Sequence, residues 1–283
     1  MKNLGYYNGS FDLIEHMSVP MNDRACYFGD GLFEVTYTRN HIPYSMDEHM
    51  DRMYAAADEL GIRIPMSKAE FSDLLCDLIR KVDDGEQWVY WQVSRGTELR
   101  NYVPADKSNA NVWVMLRPMT IRDSYSPMRA ITLEDTRSLW CNMKTLNLLP
   151  TVMASARVAA AGVEEGILHR DGRVTECIHA NLSILRADGV IQTAPADKWI
   201  LAGVARGHLI RFARELGIQV EEKPFSVEEL MEAAEVIVTS SGTLCRPICE
   251  VNGTAVGGKA PETLKLLQDT LTADFYKKTE PCV

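Results

Sequence analysis

Leu139-Trp140-Cys141-Asn142-Met143-Lys144-Thr145-Leu146-Asn147-Leu148-Leu149 sets one amine in an apolar run. Neighbours of this composition are expected to be at least half buried, with the Lys144 amine pointing into a poorly solvated space. Desolvation there disfavours the ammonium form and lowers its pKa, the state that Schiff-base chemistry asks of a lysine. A lysine reaching from a buried strand to the surface along its aliphatic stem is the plainer reading for an isolated residue. Two later stretches weigh against it. Gly172-Arg173-Val174-Thr175-Glu176 brings a carboxylate to the end of an apolar strand. Leu201-Ala202-Gly203-Val204-Ala205-Arg206 has the form of a helix start whose free N–H groups cradle a phosphate.

With 283 residues, 46% hydrophobic and 24% charged, the chain can bury one large core or two smaller ones. A net charge of −9 argues against nucleic acid as a partner. The basic residues, Lys107 and those from Arg117 to Arg137 included, are scattered without interleaved aromatics. The opening Met1-Lys2-Asn3-Leu4-Gly5-Tyr6-Tyr7-Asn8 lacks the apolar core of a signal peptide. No apolar stretch approaches the roughly 18–20 residues that cross a bilayer, so a cytoplasmic protein without a membrane partner is expected. Seven cysteines (Cys26, Cys76, Cys141, Cys177, Cys245, Cys249, Cys282) are dispersed. Their odd count and the Cys245-x-x-x-Cys249 spacing suit neither a disulfide framework nor a zinc site. His49 and the other five histidines form no metal-spaced cluster, and no metal is expected.

Helices and strands alternate along the chain without repeats. Ser45-Met46-Asp47-Glu48 reads as a capping box, followed by a stripe of Met46, Met50, Met53, Ala57 and Leu60 ending at Gly61. Ser67-Lys68-Ala69-Glu70 is a second box, opening a helix with Phe71, Leu74, Leu75 and Leu78 inward. Residues 88–93 and 112–116 read as strands. Arg117-Pro118-Met119-Thr120-Ile121-Arg122 is the candidate linker, since proline restricts it and the apolar pattern restarts after Tyr125-Ser126-Pro127. Beyond it are expected a strand at 129–135, a helix at 150–161, a hairpin turning at Asp171-Gly172 and a helix at 204–216. Another helix capped by Ser226, a strand at 235–239 and a closing helix at 262–277 follow. The expected domains are an N-terminal α/β domain over 1–118, a linker at 119–123 and a C-terminal cofactor-binding domain over 124–283.

Several of these segments, in this order, resemble the fold-type IV pyridoxal-phosphate aminotransferases, and most closely their D-amino-acid branch. They begin with Asp23-Arg24, Phe28-Gly29-Asp30-Gly31-Leu32-Phe33-Glu34-Val35 and Glu48-His49-Met50-Asp51-Arg52. Ser94-Arg95-Gly96-Thr97, Lys144-Thr145-Leu146-Asn147-Leu148-Leu149, Val174-Thr175-Glu176 and Val238-Thr239-Ser240-Ser241 complete them. The lysine segment followed by Leu-Asn-Leu-Leu favours the D-amino-acid branch. The resemblance implies a two-domain α/β (α+β) fold, with a smaller N-terminal α/β domain and a larger C-terminal α/β pseudo-barrel. It also implies pyridoxal 5′-phosphate as cofactor, a homodimer, and amino acids and 2-oxo acids as substrates.

On the same resemblance, Lys144 forms the Schiff base and then shuttles the substrate Cα proton. Glu176 accepts a hydrogen bond from the protonated pyridine nitrogen. Arg52, whose planar fork suits a phosphate, competes with a simpler intrahelical pairing to Glu48 or Glu59. Leu201, Gly203, Val204 and Ala205 would meet the phosphate at a helix N-terminus, with Ser240 and Ser241 adding hydroxyls, although Ser240-Ser241-Gly242-Thr243 also reads as a plain turn.

The substrate-facing positions depart from the family, which uses an arginine, a histidine two residues later and a tyrosine of the Gly-Asp-Gly segment. Here Arg100 is kept, Tyr102 replaces the histidine and Phe33 the tyrosine. Cys177-Ile178-His179-Ala180-Asn181 stands where relatives carry mostly serines, so His179 and Cys177 are candidates to touch substrate or cofactor, or to fill a remodelled pocket. The expected reaction moves the amino group of a D-amino acid to 2-oxoglutarate or pyruvate. Alternatives on the same cofactor are an aminodeoxychorismate lyase, or a transaminase of L-branched-chain amino acids or amines. A catalytically degenerate phosphate-binding scaffold is the alternative of another class, and intact Lys144 and Glu176 argue against it.

Overall fold

The computed structural model describes residues 1–105 and 109–281; Lys107 and Cys282 lie outside them. The chain divides into two compact units. The first comprises Met1–Ile121, Met143–Asn147 and Phe275–Val283, and the second Arg122–Asn142 and Leu148–Asp274.

The first unit is built on a six-stranded antiparallel sheet of β1 (Leu4–Tyr7), β2 (Ser10–Asp12), β3 (Gly31–Arg39), β4 (Ile42–Pro43), β5 (Gln87–Ser94) and β6 (Asn111–Pro118). Their order is β2-β1-β6-β5-β3-β4. Helices α1 (Arg24–Phe28), α2 (Met46–Leu60) and α3 (Lys68–Ile79) complete it. Strand alternation turns Val89, Trp91 and Val93 of β5 inward, where they join Val112, Val114 and Leu116 of β6 in a core. Met46, Met50, Met53 and Ala57 of α2 cover that core with Phe71, Leu75 and Leu78 of α3, while Leu60 and Leu74 pack at its edge.

Capping divides the two long helices. Ser67 accepts from the Glu70 N–H while Glu70 accepts from the Ser67 N–H, as the sequence motif predicts. The matching motif at Ser45 does not form. Ser45 is left-handed, at φ 54° and ψ 38°, and its hydroxyl makes no capping bond and is buried without a hydrogen-bond partner. A capping hydroxyl needs extended backbone to reach the amides of the first turn, and the left-handed turn swings it away.

The second unit carries nine strands. They are β7 (Met128–Glu134), β8 (Glu165–Arg170), β9 (Arg173–Cys177), β10 (Asn181–Leu185), β11 (Ile191–Thr193), β12 (Val220–Glu222), β13 (Glu235–Thr239), β14 (Arg246–Val251) and β15 (Thr254–Ala255). The order is β12-β11-β10-β13-β14-β7-β8-β9, with β15 beside β14. Four helices accompany the sheet: α4 (Leu149–Ala160), α5 (Val204–Glu215), α6 (Val227–Glu232) and α7 (Pro261–Lys278), the last running into the first unit's residues. An Arg173–Ser226 bridge and a Val174 N–H bond to the Phe225 carbonyl return the β9 edge toward the chain following β12. That bridge brings one edge of the sheet back toward the chain at its other edge. Asp171 and Gly172, both at positive φ, make the tight turn between β8 and β9.

One expectation is corrected here. The apolar neighbours of Lys144 are not all half buried: Trp140 is 58% exposed and Leu149 70%. Apart from one bridge between Leu32 and Thr145, residues 139–148 are turns and irregular chain and Leu149 opens α4, so no ladder covers these apolar side chains. Residues Met143–Asn147 group with the first unit. The Phe33 N–H donates to the Lys144 carbonyl at 2.9 Å and the Leu146 N–H to the Gly31 carbonyl at 3.0 Å. Residue 31 must be glycine for this: a Cβ there would come within 2.3 Å of the Val93 carbonyl oxygen and 2.8 Å of Leu146 Cδ1.

Candidate active site

The first unit contributes an amine and a buried ion cluster. Lys144 Nζ lies 4.4 Å from the centre of the Phe33 ring. That ring stacks on Tyr90 at 5.6 Å, and Tyr90 stacks on Trp88 at 5.4 Å, a row of aromatics on β3 and β5. One residue further along β3 the side chain turns to the opposite face. There Glu34, buried, receives Arg52 in a two-pronged pair, from Nε and from a terminal nitrogen, each at 2.7 Å. His49 Nδ1 bonds the same carboxylate at 2.7 Å. Burial alone would raise the Glu34 carboxyl, but the Arg52 charge and the two partners' hydrogen bonds outweigh it and hold it at about 2. Burial pushes His49 down, against the pull of Glu34, so its ring is neutral and donates from Nδ1. Arg52 is thus oriented by a carboxylate on β3 that spacing along α2 does not reveal.

Arg100 is exposed on its loop, its guanidinium 5.1 Å from the Phe28 ring and 5.2 Å from the Tyr102 ring. Tyr102 lies beside it, exposed, with its hydroxyl 3.4 Å from Arg100. Buried Arg24 anchors this loop, donating to the Asn101 and Tyr102 carbonyls and pairing with Glu98 at 2.8 Å and Asp30 at 2.7 Å.

The second unit contributes a fixed carboxylate. Glu176 lies next to the last residue of β9 and is 5% exposed. Its Oε1 accepts from Arg137, and its Oε2 from Asn181 Nδ2 at 2.9 Å and the Leu201 N–H at 3.2 Å. Arg137 is itself seated on Asp135 through Nε at 2.9 Å and a terminal nitrogen at 2.8 Å. Asp135 also accepts from Arg170 and the Thr175 hydroxyl. Burial would raise Asp135, yet Arg137 and Arg170 hold it at about 2.

Gly203 caps α5 at φ −67°, a value open to any residue, without a side-chain hydrogen bond. Val204 and Ala205 open the helix, so their N–H groups have no carbonyl four residues back within it. The neighbouring Arg206 is committed elsewhere, to the Ala194 carbonyl and Glu222. Ser240 closes a turn with Thr243, the two hydroxyls 2.8 Å apart, and Ser241 follows within that turn. Thr239, ending β13, has a buried hydroxyl without a hydrogen-bond partner. His179 is exposed, its Nε2 3.1 Å from the Ser155 hydroxyl on α4. Cys177 is packed in the second unit's core, where burial pushes its thiol well up and leaves it unreactive.

The first unit thus offers an amine over an aromatic face, and the second a buried carboxylate with fixed donors and a helix start without a side-chain cap. The family described as Amino-transferase class IV matches residues 31–251, and the chain belongs to it. A D-alanine aminotransferase of Listeria monocytogenes serotype 1/2a (strain 10403S) is 38% identical over 261 residues, 90% of each chain. One from Bacillus licheniformis is 32% identical over 280 residues, 98% of this chain and 99% of the relative. Among solved structures, the Escherichia coli branched-chain amino acid aminotransferase superposes at TM-score 0.88 with 23% identity, covering 99% of this chain and 97% of that one. The Thermoproteus uzoniensis branched-chain aminotransferase, solved with norvaline, gives 0.86 at 21% identity, covering 97% and 96%. At those identities the structures show the fold alone. The protein is an aminotransferase of fold type IV, as the order of its motifs predicts. Among the described residues no helix is long and apolar enough to cross a membrane, and no His, Cys, Asp and Glu cluster could hold a metal ion.

Proposed function

We propose that the protein moves the amino group of D-amino acids to a 2-oxo acid such as 2-oxoglutarate or pyruvate, using pyridoxal 5′-phosphate. The observation that carries this reading is Glu176: buried, with both oxygens held by donors from the protein itself. Such a carboxylate fits a protonated pyridine nitrogen. The orphaned Thr239 hydroxyl beside Ser240 and Ser241, and the uncapped α5 start, fit a phosphate. The 38% identity to a D-alanine aminotransferase supports the D-amino-acid substrate.

When bound, the cofactor supplies an electron sink for the pair left by a broken Cα–H bond. Lys144 would hold it covalently through Nζ and, when its amine is free, would take the proton from the substrate Cα and deliver it to the cofactor's C4′ carbon. Glu176 would keep the ring nitrogen protonated, with Arg137 and Asn181 fixing the carboxylate's orientation. Arg52, the N–H groups of Gly203, Val204 and Ala205, and the hydroxyls of Ser240 and Ser241 would bind the phosphate, while the Leu201 N–H is committed to Glu176 and not to the phosphate. Arg100 would bind the substrate carboxylate, with Tyr102 and His179 as further candidate contacts and Phe33 as an apolar wall.

A homodimer is part of this proposal. Leu139, Trp140, Leu149, Val152 and Met153 are exposed along one stretch of chain, apolar side chains of the kind a second subunit would cover. Light scattering checks it: a 31.7 kDa species active at assay dilution would overturn the dimer. The reaction is tested by mixing the cofactor-loaded protein with single D- and L-amino acids and following the visible absorption band. Bleaching by D-alanine and not L-alanine supports the reading; the reverse preference would replace it with L-amino-acid transamination.

A further inference from the structure

The side-chain amide of Asn181 joins two groups that the proposed function uses separately. Its Nδ2 donates to Glu176 Oε2 and to the Leu201 carbonyl, both at 2.9 Å. Its Oδ1 occupies the space beside Gly203, where an added Cβ would come within 1.9 Å of it. Since the backbone at 203 suits any residue, glycine is required there by the oxygen of Asn181 and not by chain conformation. Asn181 is buried at the start of β10, paired in register with Thr239, so the two side chains stand on one face of the sheet.

We infer that Asn181 is a positioning residue that locks the Glu176 carboxylate to the N-terminus of α5, so that the pyridine-nitrogen anchor and the phosphate anchor keep one fixed separation. The inference rests on the functional reading above. Ring nitrogen and phosphate are a set distance apart in the cofactor, and anchors already held at that distance bind it without reordering. The amide suits the position because it offers two donors on one side and an oxygen on the other. Aspartate would turn an anionic oxygen toward Glu176 and the Leu201 carbonyl. Alanine would leave Glu176 Oε2 to the Leu201 N–H.

A double-mutant cycle tests the lock: Asn181→Ala, Gly203→Ala and the double variant are each titrated as apoprotein with pyridoxal 5′-phosphate. Each single substitution is expected to weaken binding roughly tenfold, and the double variant to bind no worse than the weaker single one. The added methyl group meets no oxygen once Asn181 is shortened. Asn181→Asp is expected to weaken binding as well and to shift the pH midpoint of the bound cofactor's visible band, which a merely structural role would not move. Asn181→Ser withdraws the same oxygen and replaces Asn181→Ala in the cycle if that variant does not fold. Additive losses, or Asn181→Asp with wild-type affinity and band, would overturn the inference alone. Failure of the wild-type apoprotein to take up pyridoxal 5′-phosphate would overturn both it and the functional reading.

Discussion

Phe33 holds Lys144 at both ends: its N–H donates to the Lys144 carbonyl at 2.9 Å, and its ring faces the Lys144 amine at 4.4 Å. The backbone bond sets the path of the lysine segment, while the ring face attracts the ammonium. Phe33→Tyr keeps both and adds a hydroxyl where the family has one. A single added hydrogen bond to a charged group is worth about 1.5–3 kcal/mol. The KM for D-alanine should therefore fall at least about tenfold, with little change in melting temperature; an unchanged KM would place the ring away from the substrate carboxylate.

Lys144→Ala should fold, since residue 144 lies in irregular chain, is only half buried and keeps its backbone bonds. Turnover should vanish, while noncovalent cofactor binding through the phosphate contacts persists. Borohydride reduction of the wild type followed by peptide mapping should label Lys144. A label on another lysine would sink the assignment.

Glu176→Gln is expected to slow the half-reaction at least about 30-fold, about 2 kcal/mol, the scale of one well-placed electrostatic contact. The structure adds a second effect. The new amide nitrogen must face Arg137, or else Asn181 and the Leu201 N–H, so a buried donor loses its acceptor. That should lower stability by about 1–3 kcal/mol in denaturant unfolding of the apoprotein. Unchanged half-reaction rates would remove Glu176 from the pyridine-nitrogen role.

Arg100→Ala should raise KM steeply for every amino acid while leaving the melting temperature nearly intact, because the side chain is exposed and stacks only on Phe28 and Tyr102. Equal KM values for variant and wild type across several amino acids would show that the carboxylate is held elsewhere.

Local motifs were legible where the physics is local. Ser67-Glu70 and Ser226-Glu229 close as capping boxes because each needs only a few residues in extended-then-helical order. Ser45 has the same letters, but a left-handed backbone that the letters do not encode. The apolar run around Lys144 misled for a related reason, since composition does not tell whether a segment finds a ladder partner. At the candidate site, Glu176 and Gly203 are nameable from sequence while their supports are not. Arg137 reaches Glu176 across 39 positions, and Glu34 meets Arg52 from another element. Gly203 reads as room for a phosphate, yet the space is taken by Asn181.

Stability should fall as pH rises through neutrality, and Glu165 is the cause. It begins β8, is 9% exposed and accepts from the Gly166 N–H at 2.9 Å. Burial pushes its carboxyl up to about 7 from 4.5, only partly opposed by the Gly166 and Ile178 amides and Arg122. Between those values the folded state binds a proton that the unfolded chain releases, so stability present below pH 4.5 is lost as pH rises through 7. The shift corresponds to about 3 kcal/mol. Glu34 and Asp135, both held at about 2, act in the opposite sense and lose their contribution as pH falls below their ordinary range. Glu165→Gln carries no charge at any pH and keeps a hydrogen-bonding oxygen. Denaturant unfolding at pH 5 and pH 8 should show the variant nearly level between the two, and more stable than wild type at pH 8 by up to about 3 kcal/mol. Parallel pH profiles for the two proteins would mean that Glu165 is solvated or paired in the folded protein.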